Sequence, residues 1–348
     1  MGEKIIFRSN EFLRTINPHW RGNPSANGKF FNRQHRWKPG MANVFNMRFT
    51  RNPNHLAKRF VQWKPTVYYL RSMKELVGNA MVWLGHNTFL IQLGGKRIMI
   101  DPVYGDIPFV KRRSVFPANP AVFQHIDYLL ISHDHFDHLD KPSVTRLVAD
   151  NPQMKLFCGL DTGKLLKSWF PSLEVVEAGW YQQFEEDGLK LTFMPAQHWS
   201  KRSMNDGGER LWGAFVIQAD GITIYNSGDT AYANHFKEVP NFFPHIDYCM
   251  IGIGAYQPRW FMKPNHISPY DALTAASELH ACVTIPMHYG TFDLSDEPLF
   301  NPPHVFATEA RYRNMKVIVP CLGEIIALEP QQIVDQTQTI QISDASLV

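Results

Sequence analysis

Four side chains able to hold a metal ion fall within the six residues His133-Asp134-His135-Phe136-Asp137-His138. Three imidazoles and one carboxylate (His133, His135, His138 and Asp137) at these offsets suit a divalent ion, zinc above all, with iron and manganese also served by such donors. They follow the apolar run Leu129-Leu130-Ile131-Ser132, which reads as a buried strand, so they occupy the turn at its end. In a turn, His133 and His135 can face one way and Asp137 and His138 another, which suits two adjacent ions. Two ions need further donors, because each zinc takes three or four protein groups plus solvent. Three more stand just beyond predicted strands: His198 in Gln197-His198-Trp199, Asp229 in Gly228-Asp229-Thr230, and His288 in Met287-His288-Tyr289. Asp229, with two carboxylate oxygens, is suited to bridge. Two ions about 3.5–4 Å apart share one water and acidify it. The chemistry this predicts is hydrolysis by a metal-bridging hydroxide. No serine or cysteine nucleophile stands in a recognisable motif.

The elements that must position these groups can be read from about residue 79 onward. Residues 81–84, 88–93 and 97–100 alternate or run apolar as strands, the last two joined across Gly94-Gly95 as a hairpin. Strands follow at 128–131, 189–194, 212–218, 222–226, 248–251 and 283–286, with short ones at 317–319 and 324–328. Helical patterns cover 142–150, 161–169, 268–280 and 303–314. Each half opens with antiparallel strands and continues with alternating helices and strands. That order predicts an α/β fold, two sheets packed face to face with helices outside, a four-layer αββα sandwich. Each proposed ligand then stands at a strand end, on one rim of the sandwich.

The chain has 348 residues, 44% of them hydrophobic and 19% charged, enough to bury a sizeable core in one large domain or two. No apolar run approaches a membrane span. The start, MGEKIIFRSNEF, lacks the apolar core of a secretory signal, which predicts a cytoplasmic protein. Cys158, Cys249, Cys282 and Cys321 form no CxxC pair and read as buried small hydrophobes in a reducing compartment. Residues 1–60 hold twelve Lys/Arg against two Asp/Glu, a net of +10. With +3 overall, the other 288 residues carry −7. Nine aromatics lie in the same stretch, among them Phe30, Phe31, Trp37, Phe45 and Phe49. It reads as a basic, aromatic, partly irregular arm, rich in turn formers, that either meets an anionic membrane face or packs its rings on the main domain. The expected organisation is an arm over 1–60, a catalytic domain over 61–328 and a polar, loosely attached tail over 329–348.

The pattern HxHxDH, a later His, an Asp and a final His resembles the metallo-β-lactamase superfamily. The resemblance implies one ion on His133, His135, His198 and Asp229 and a second on Asp137, His138, Asp229 and His288. It also assigns Asp101, in Ile100-Asp101-Pro102, a supporting hydrogen bond to the histidines, which a metal-bound imidazole needs for its other N–H. Asp140 is a further supporting candidate. Three segments are similar to the superfamily's N-acylphosphatidylethanolamine-hydrolysing phospholipases D and their bacterial relatives. They are Gln197-His198-Trp199-Ser200-Lys201-Arg202-Ser203-Met204-Asn205-Asp206, then Gly254-Ala255-Tyr256-Gln257-Pro258-Arg259-Trp260-Phe261-Met262-Lys263 running on to Asn265-His266, and Met287-His288-Tyr289-Gly290-Thr291-Phe292. The likeness covers roughly residues 80–300.

It implies a phosphodiesterase in which Asp137, Lys201 and His266 take part in catalysis. Lys201 would contact the phosphate, with Arg202, Tyr256, Arg259, Trp260 and Asn265 lining the substrate. Cations three and four residues past a ligand suit an anionic phosphodiester, and Arg259 beside Trp260 suits a lipid headgroup and chain. Phe136 and Asn265 stand where the mammalian lipase has Tyr and Gln. The implied partners are a phospholipid or other phosphodiester, an anionic membrane surface that would hold the protein peripherally on the inner face, and a second copy of the chain. Nucleic acid is not expected. A cytosolic sugar-phosphate-type lactonase and a metallo-nuclease are the rival enzymes on the same metals.

Overall fold

The computed structural model describes residues 4–34, 40–61, 63–332 and 341–342. Four short strands come first: β1 (Ile6–Arg8), β2 (Arg14–Thr15), β3 (Asn23–Ala26) and β4 (Lys29–Phe30). Helices α1 (Met41–Phe49) and α2 (His55–Phe60) follow. The next strands are β5 (Ala80–Gly85), β6 (Thr88–Leu93), β7 (Lys96–Ile100), β8 (Tyr128–Ile131), β9 (Lys155–Gly159) and β10 (Glu174–Ala178). Helices α3 (Lys141–Asp150) and α4 (Thr162–Trp169) lie in their crossovers. Then come β11 (Gln182–Glu186), β12 (Leu189–Met194), β13 (Ala214–Ala219), β14 (Ile222–Asn226), β15 (Ile246–Gly252) and β16 (Ala281–Met287), with α5 (His235–Glu238), α6 (Arg259–Met262) and α7 (Pro269–Glu278) between the later ones. The order closes with α8 (Asn301–Tyr312), β17 (Ile318–Val319), β18 (Ile325–Ala327) and β19 (Gln341–Ile342).

Two seven-stranded sheets result, ordered β10-β9-β8-β7-β6-β5-β18 and β16-β15-β14-β13-β12-β11-β2. In each, a block of antiparallel strands passes into a parallel block, at β7–β8 in the first and β14–β15 in the second. The hairpins β6–β7, β11–β12 and β13–β14 turn on Gly94-Gly95, Asp187-Gly188 and Asp220-Gly221, all six at positive φ, the turn that matches strand twist. Period-two alternation sorts β5: Met81 and Trp83 enter the main core with β12–β16, while Ala80, Val82 and Leu84 pack in a second core with Val144 and Leu147 of α3 and Leu166 of α4. On the far side, Ala272, Leu273, Ala275 and Ala276 of α7 and Phe306 of α8 are buried in the main core. The fold is the four-layer α/β sandwich that the sequence predicts.

Three strands beyond residue 60, besides β2 of the arm, enter the two large sheets from outside that reading. β10 and β11 are short and polar (EVVEA and QQFEE), and β9 is five residues between two helices, so none shows a clear period. The irregular arm expected over 1–60 also takes a different form. Over 4–34 it belongs to the sandwich: β2 pairs with β11 and extends the second sheet, and Phe30 is buried in the main core. Two- to four-residue strands carry too little sequence to show alternation. Trp37 and most of the polar tail lie outside the described residues, though β19 pairs in parallel with β17. The described residues include no helix long and apolar enough to cross a membrane.

The ligand-bearing turns leave the C-terminal ends of their strands: His133 to His138 after β8, His198 after β12, Asp229 after β14 and His288 after β16. Asp101 and His86 follow β7 and β5 in the same way.

Candidate metal centre

The turn after β8 brings two of its histidines against His198 from the other sheet. His133 Nε2 stands 2.8 Å from His135 Nδ1, and His198 Nε2 lies 3.3 Å from that same nitrogen. Burial pushes all three rings below the ordinary histidine range. Three ring nitrogens converge here, that of His198 from an element remote in sequence, close enough for one cation to meet all three lone pairs. This group fits a metal ion.

A second group forms beside it. Asp137 Oδ2 is 3.6 Å from both His138 Nε2 and His288 Nε2. Asp229 Oδ2 lies between the groups, 3.1 Å from His288 Nε2, 3.3 Å from His138 Nε2 and 3.7 Å from His198 Nε2. The Nε2 atoms of His138 and His288 are buried with no hydrogen-bond partner. Burial works against charge on His138, yet Asp229 and Asp137 hold it well above the ordinary range. For His288 burial again opposes charge, and the same carboxylates push it up to about 9. Burial favours neutral Asp137 and Asp229, but the surrounding imidazoles hold both well below the usual carboxylate range. A buried carboxylate (Asp229) and a largely enclosed one (Asp137) that stay ionised call for cations, which either protons on these rings or a metal ion can supply. The donors therefore fit two ions sharing Asp229.

The outer faces of the rings are tied down. His138 Nδ1 lies 2.8 Å from Asp101 Oδ2, which also accepts from Ser132 Oγ at 2.6 Å. His198 Nδ1 is 3.0 Å from the Asn265 carbonyl. A ring with one nitrogen so engaged presents the other as a lone pair. The motif's backbone is braced by charge: Asp134, fully buried, accepts from Arg210 Nε and from Lys201 N, the latter at 2.9 Å.

Comparison with known proteins agrees with this geometry. Residues 96–289 match the family model described as the β-lactamase superfamily domain. The chain belongs to the metallo-β-lactamase superfamily. Within it, the chain is 30% identical over 305 residues to N-acyl-phosphatidylethanolamine-hydrolyzing phospholipase D 1 of Caenorhabditis elegans, spanning 80% of this chain and 86% of that one. It is 31% identical over 250 residues to a UPF0173 metal-dependent hydrolase of Sulfurisphaera tokodaii, 71% of this chain and 98% of that one. Among solved structures, a metallo hydrolase from Ignicoccus hospitalis superposes with a TM-score of 0.55 at 21% identity, covering 72% of this chain and 98% of that one, which speaks for the fold alone. As a member of the superfamily, the protein is a metal-dependent hydrolase with a His/Asp cluster able to bind metal.

All seven ligand positions of the superfamily pattern thus lie in one cluster, and His266 joins it, with Nδ1 3.8 Å from Asp229 Oδ2. The remaining residues singled out by sequence sit as follows. Asp140 is not beside the histidines: its carboxylate caps α3, accepting from Ser143 N and Oγ. Arg202 turns its guanidinium into the motif loop, donating to the carbonyls of Asp134 and Leu139 and lying over the Phe136 ring. Arg259 donates to the His266 carbonyl at 3.1 Å and to Asp271 at 2.8 Å. Tyr256 is buried, its hydroxyl on Asn301 Oδ1. Trp260 is half exposed and Lys201 is exposed. Sequence reasoning missed His86, Asn32 and Arg210. His86 carried a signal, because it too follows a strand end. Asn32 and Arg210 carried none, since each acts on the site only through the fold.

Proposed function

We propose that the protein is a zinc phosphodiesterase of phospholipase D type, acting on N-acylphosphatidylethanolamine-like lipids. One observation carries the reading: two donor groups sharing Asp229 occur in a chain that matches most of a phospholipase named for that lipid. Bound ions supply Lewis acidity and an acidified water at this spot. His133, His135 and His198 hold one ion, and Asp137, His138 and His288 the other. Lys201, its backbone fixed on Asp134, sets an exposed ammonium three residues past His198 to neutralise a phosphoryl oxygen as charge builds there. His266 stands beside Asp229 where it can hold a proton for the leaving oxygen. Water adds to phosphorus, the bond from phosphorus to the ethanolamine oxygen breaks, and that oxygen takes up the proton. The products are an N-acylethanolamine and a phosphatidate. Arg202 and Arg259 serve by shaping the loops around the substrate, and Trp260 offers it apolar surface.

The chain of 61–328 carries this chemistry in our reading. Residues 40–61 hold it on an anionic membrane face as a peripheral protein of the cytoplasmic side, and two copies pair as a homodimer. The test is to incubate zinc-loaded enzyme with N-acylphosphatidylethanolamine and detect free N-acylethanolamine by mass spectrometry. Turnover is expected, Asp229→Asn losing nearly all of it along with most of the metal, and Lys201→Ala losing turnover with its metal retained. No product from fully loaded wild-type enzyme would overturn the lipid substrate.

A further inference from the structure

The second donor group contains one residue more than the superfamily pattern needs. His86, in the turn between β5 and β6, places Nε2 2.8 Å from Asp137 Oδ2. Its ring is buried, 4.0 Å from the His288 ring and edge-on to Phe292 at 5.1 Å. The backbone holds it there from every side. His86 N donates to Thr291 Oγ1 at 2.8 Å, and its carbonyl accepts from Trp83 Nε1 at 2.9 Å and from His288 N at 3.1 Å. The residue sits at φ 53°, a left-handed conformation that an L-residue keeps only when its surroundings over-determine it.

The chemistry of the contact decides what the ring does. A neutral imidazole carries one ring proton, and its place follows from what the ring meets. Ionised Asp137 can only accept, so that proton lies on Nε2 and is donated to Oδ2. Nδ1 is then a bare lone pair, buried with no partner. A metal-ligating His86 would reverse this. Nε2 would lose the proton, and Nδ1–H would be a buried donor with nothing to accept it. His288 shares an unpartnered Nδ1, so what sets His86 apart is its Nε2, which already meets Asp137 Oδ2, whereas the Nε2 of His288 has no hydrogen-bond partner and stays open to a metal.

We infer that His86 is a positioning residue that holds the Asp137 carboxylate toward His138 and His288, and through it sets the affinity of the second metal position. This rests on the two-ion reading of the centre and is independent of the substrate. Asp137 occupies a turn position, 15% exposed, where a carboxylate with no such partner is free to rotate away from the imidazoles.

The experiment is a zinc titration against a competing chelator, with metal content counted separately. Wild type is expected to bind two ions; binding of one would sink the two-ion reading before any variant is compared. His86→Phe keeps the ring shape against Phe292 and removes the donor. It should weaken the second ion about 10- to 100-fold and leave the first within a few fold. His86→Gln, which keeps an N–H donor, should recover part of that loss. His86→Asn tolerates the left-handed backbone but is too short to reach, and gives the same measurement if the phenylalanine variant fails to fold by circular dichroism. The decisive arm is a double-mutant cycle with Asp137→Asn. If His86 acts through Asp137, adding His86→Phe to that background costs no further affinity. An undiminished loss in that background, or wild-type affinity for both ions in the single variant, would overturn the assignment.

Discussion

Arg8, Asn10 and Asn32 belong to the same basic, aromatic stretch as Phe45, Phe49 and Phe60, but the two sets meet the rest of the molecule differently. Over residues 4–34, much of the chain finds partners in the sandwich, although Ile5, Ile6, Phe7 and Phe12 face outward. Arg8 pairs with Asp161. Asn10 exchanges hydrogen bonds with Gln182, and β2 pairs with β11. Trp20 packs on Trp180 and Tyr181. Asn32 donates to the carbonyl of His198 at 2.7 Å and accepts from Trp212 Nε1 at 3.1 Å. Residues 40–61 attach through a few contacts to the loops around residues 257 and 293–296: Asn54 to Gln257, Asn52 to the Asp296 carbonyl and Lys58 to Asp293. Several of their described aromatic side chains face outward. Phe45 is 64% exposed, Phe49 70% and Phe60 69%, with Arg51 and Arg59 exposed among them. Exposed rings beside cations are costly in water and suited to an anionic lipid interface, whereas the earlier segment has become part of the metal site's support.

Three changes would break or sharpen this contrast. Deletion of residues 1–34 should have the largest effect. It strips the edge of the second sheet and empties the place of Phe30, worth about 3–5 kcal/mol by itself. Loss of cooperative thermal unfolding and of bound metal is expected; a deletion variant that melts like wild type would show the segment to be an appendage after all. Asn32→Ala comes next. It leaves the buried His198 carbonyl unpaired, at a cost of about 1–3 kcal/mol seen in chemical denaturation. Zinc should dissociate from the first position more readily. Replacing Phe45, Phe49 and Phe60 with serine should have the smallest effect on the fold, each change staying within about 0.5 kcal/mol. Co-sedimentation with anionic vesicles should nevertheless fall at least about tenfold, given roughly 1.5–3 kcal/mol for each buried aromatic side chain. The residual binding should weaken further as salt rises. Unchanged vesicle binding would place the membrane contact elsewhere.

The same contrast explains what was legible in advance. The core strands could be read because four to six alternating or wholly apolar residues stand out between turns, as in β6, β8 and β12. The seven candidate ligands could be picked out because each is a reactive side chain one to seven residues beyond such a strand. The arm could not, because charge and aromatic content are averages over a window. They are identical for a ring packed on Trp180 and a ring facing solvent. Arg202 and Asp140 show the same limit at the site. Both have the right chemistry beside the motif, yet one donates to backbone carbonyls and the other caps a helix, roles set by where neighbouring atoms fall.

From the sequence alone followed the sandwich and a metal-dependent hydrolase, with seven residues as candidate donors, because periodicity and spacing are local and survive without knowledge of contacts. Only the tertiary structure decided which donors face one another across Asp229, that His86 reaches Asp137 from another strand, and that Asn32 holds the backbone of His198. Those relations join residues 51 and 166 positions apart. Distance along a chain carries no trace of such a meeting; it exists only once two sheets have packed and brought their strand ends to one rim.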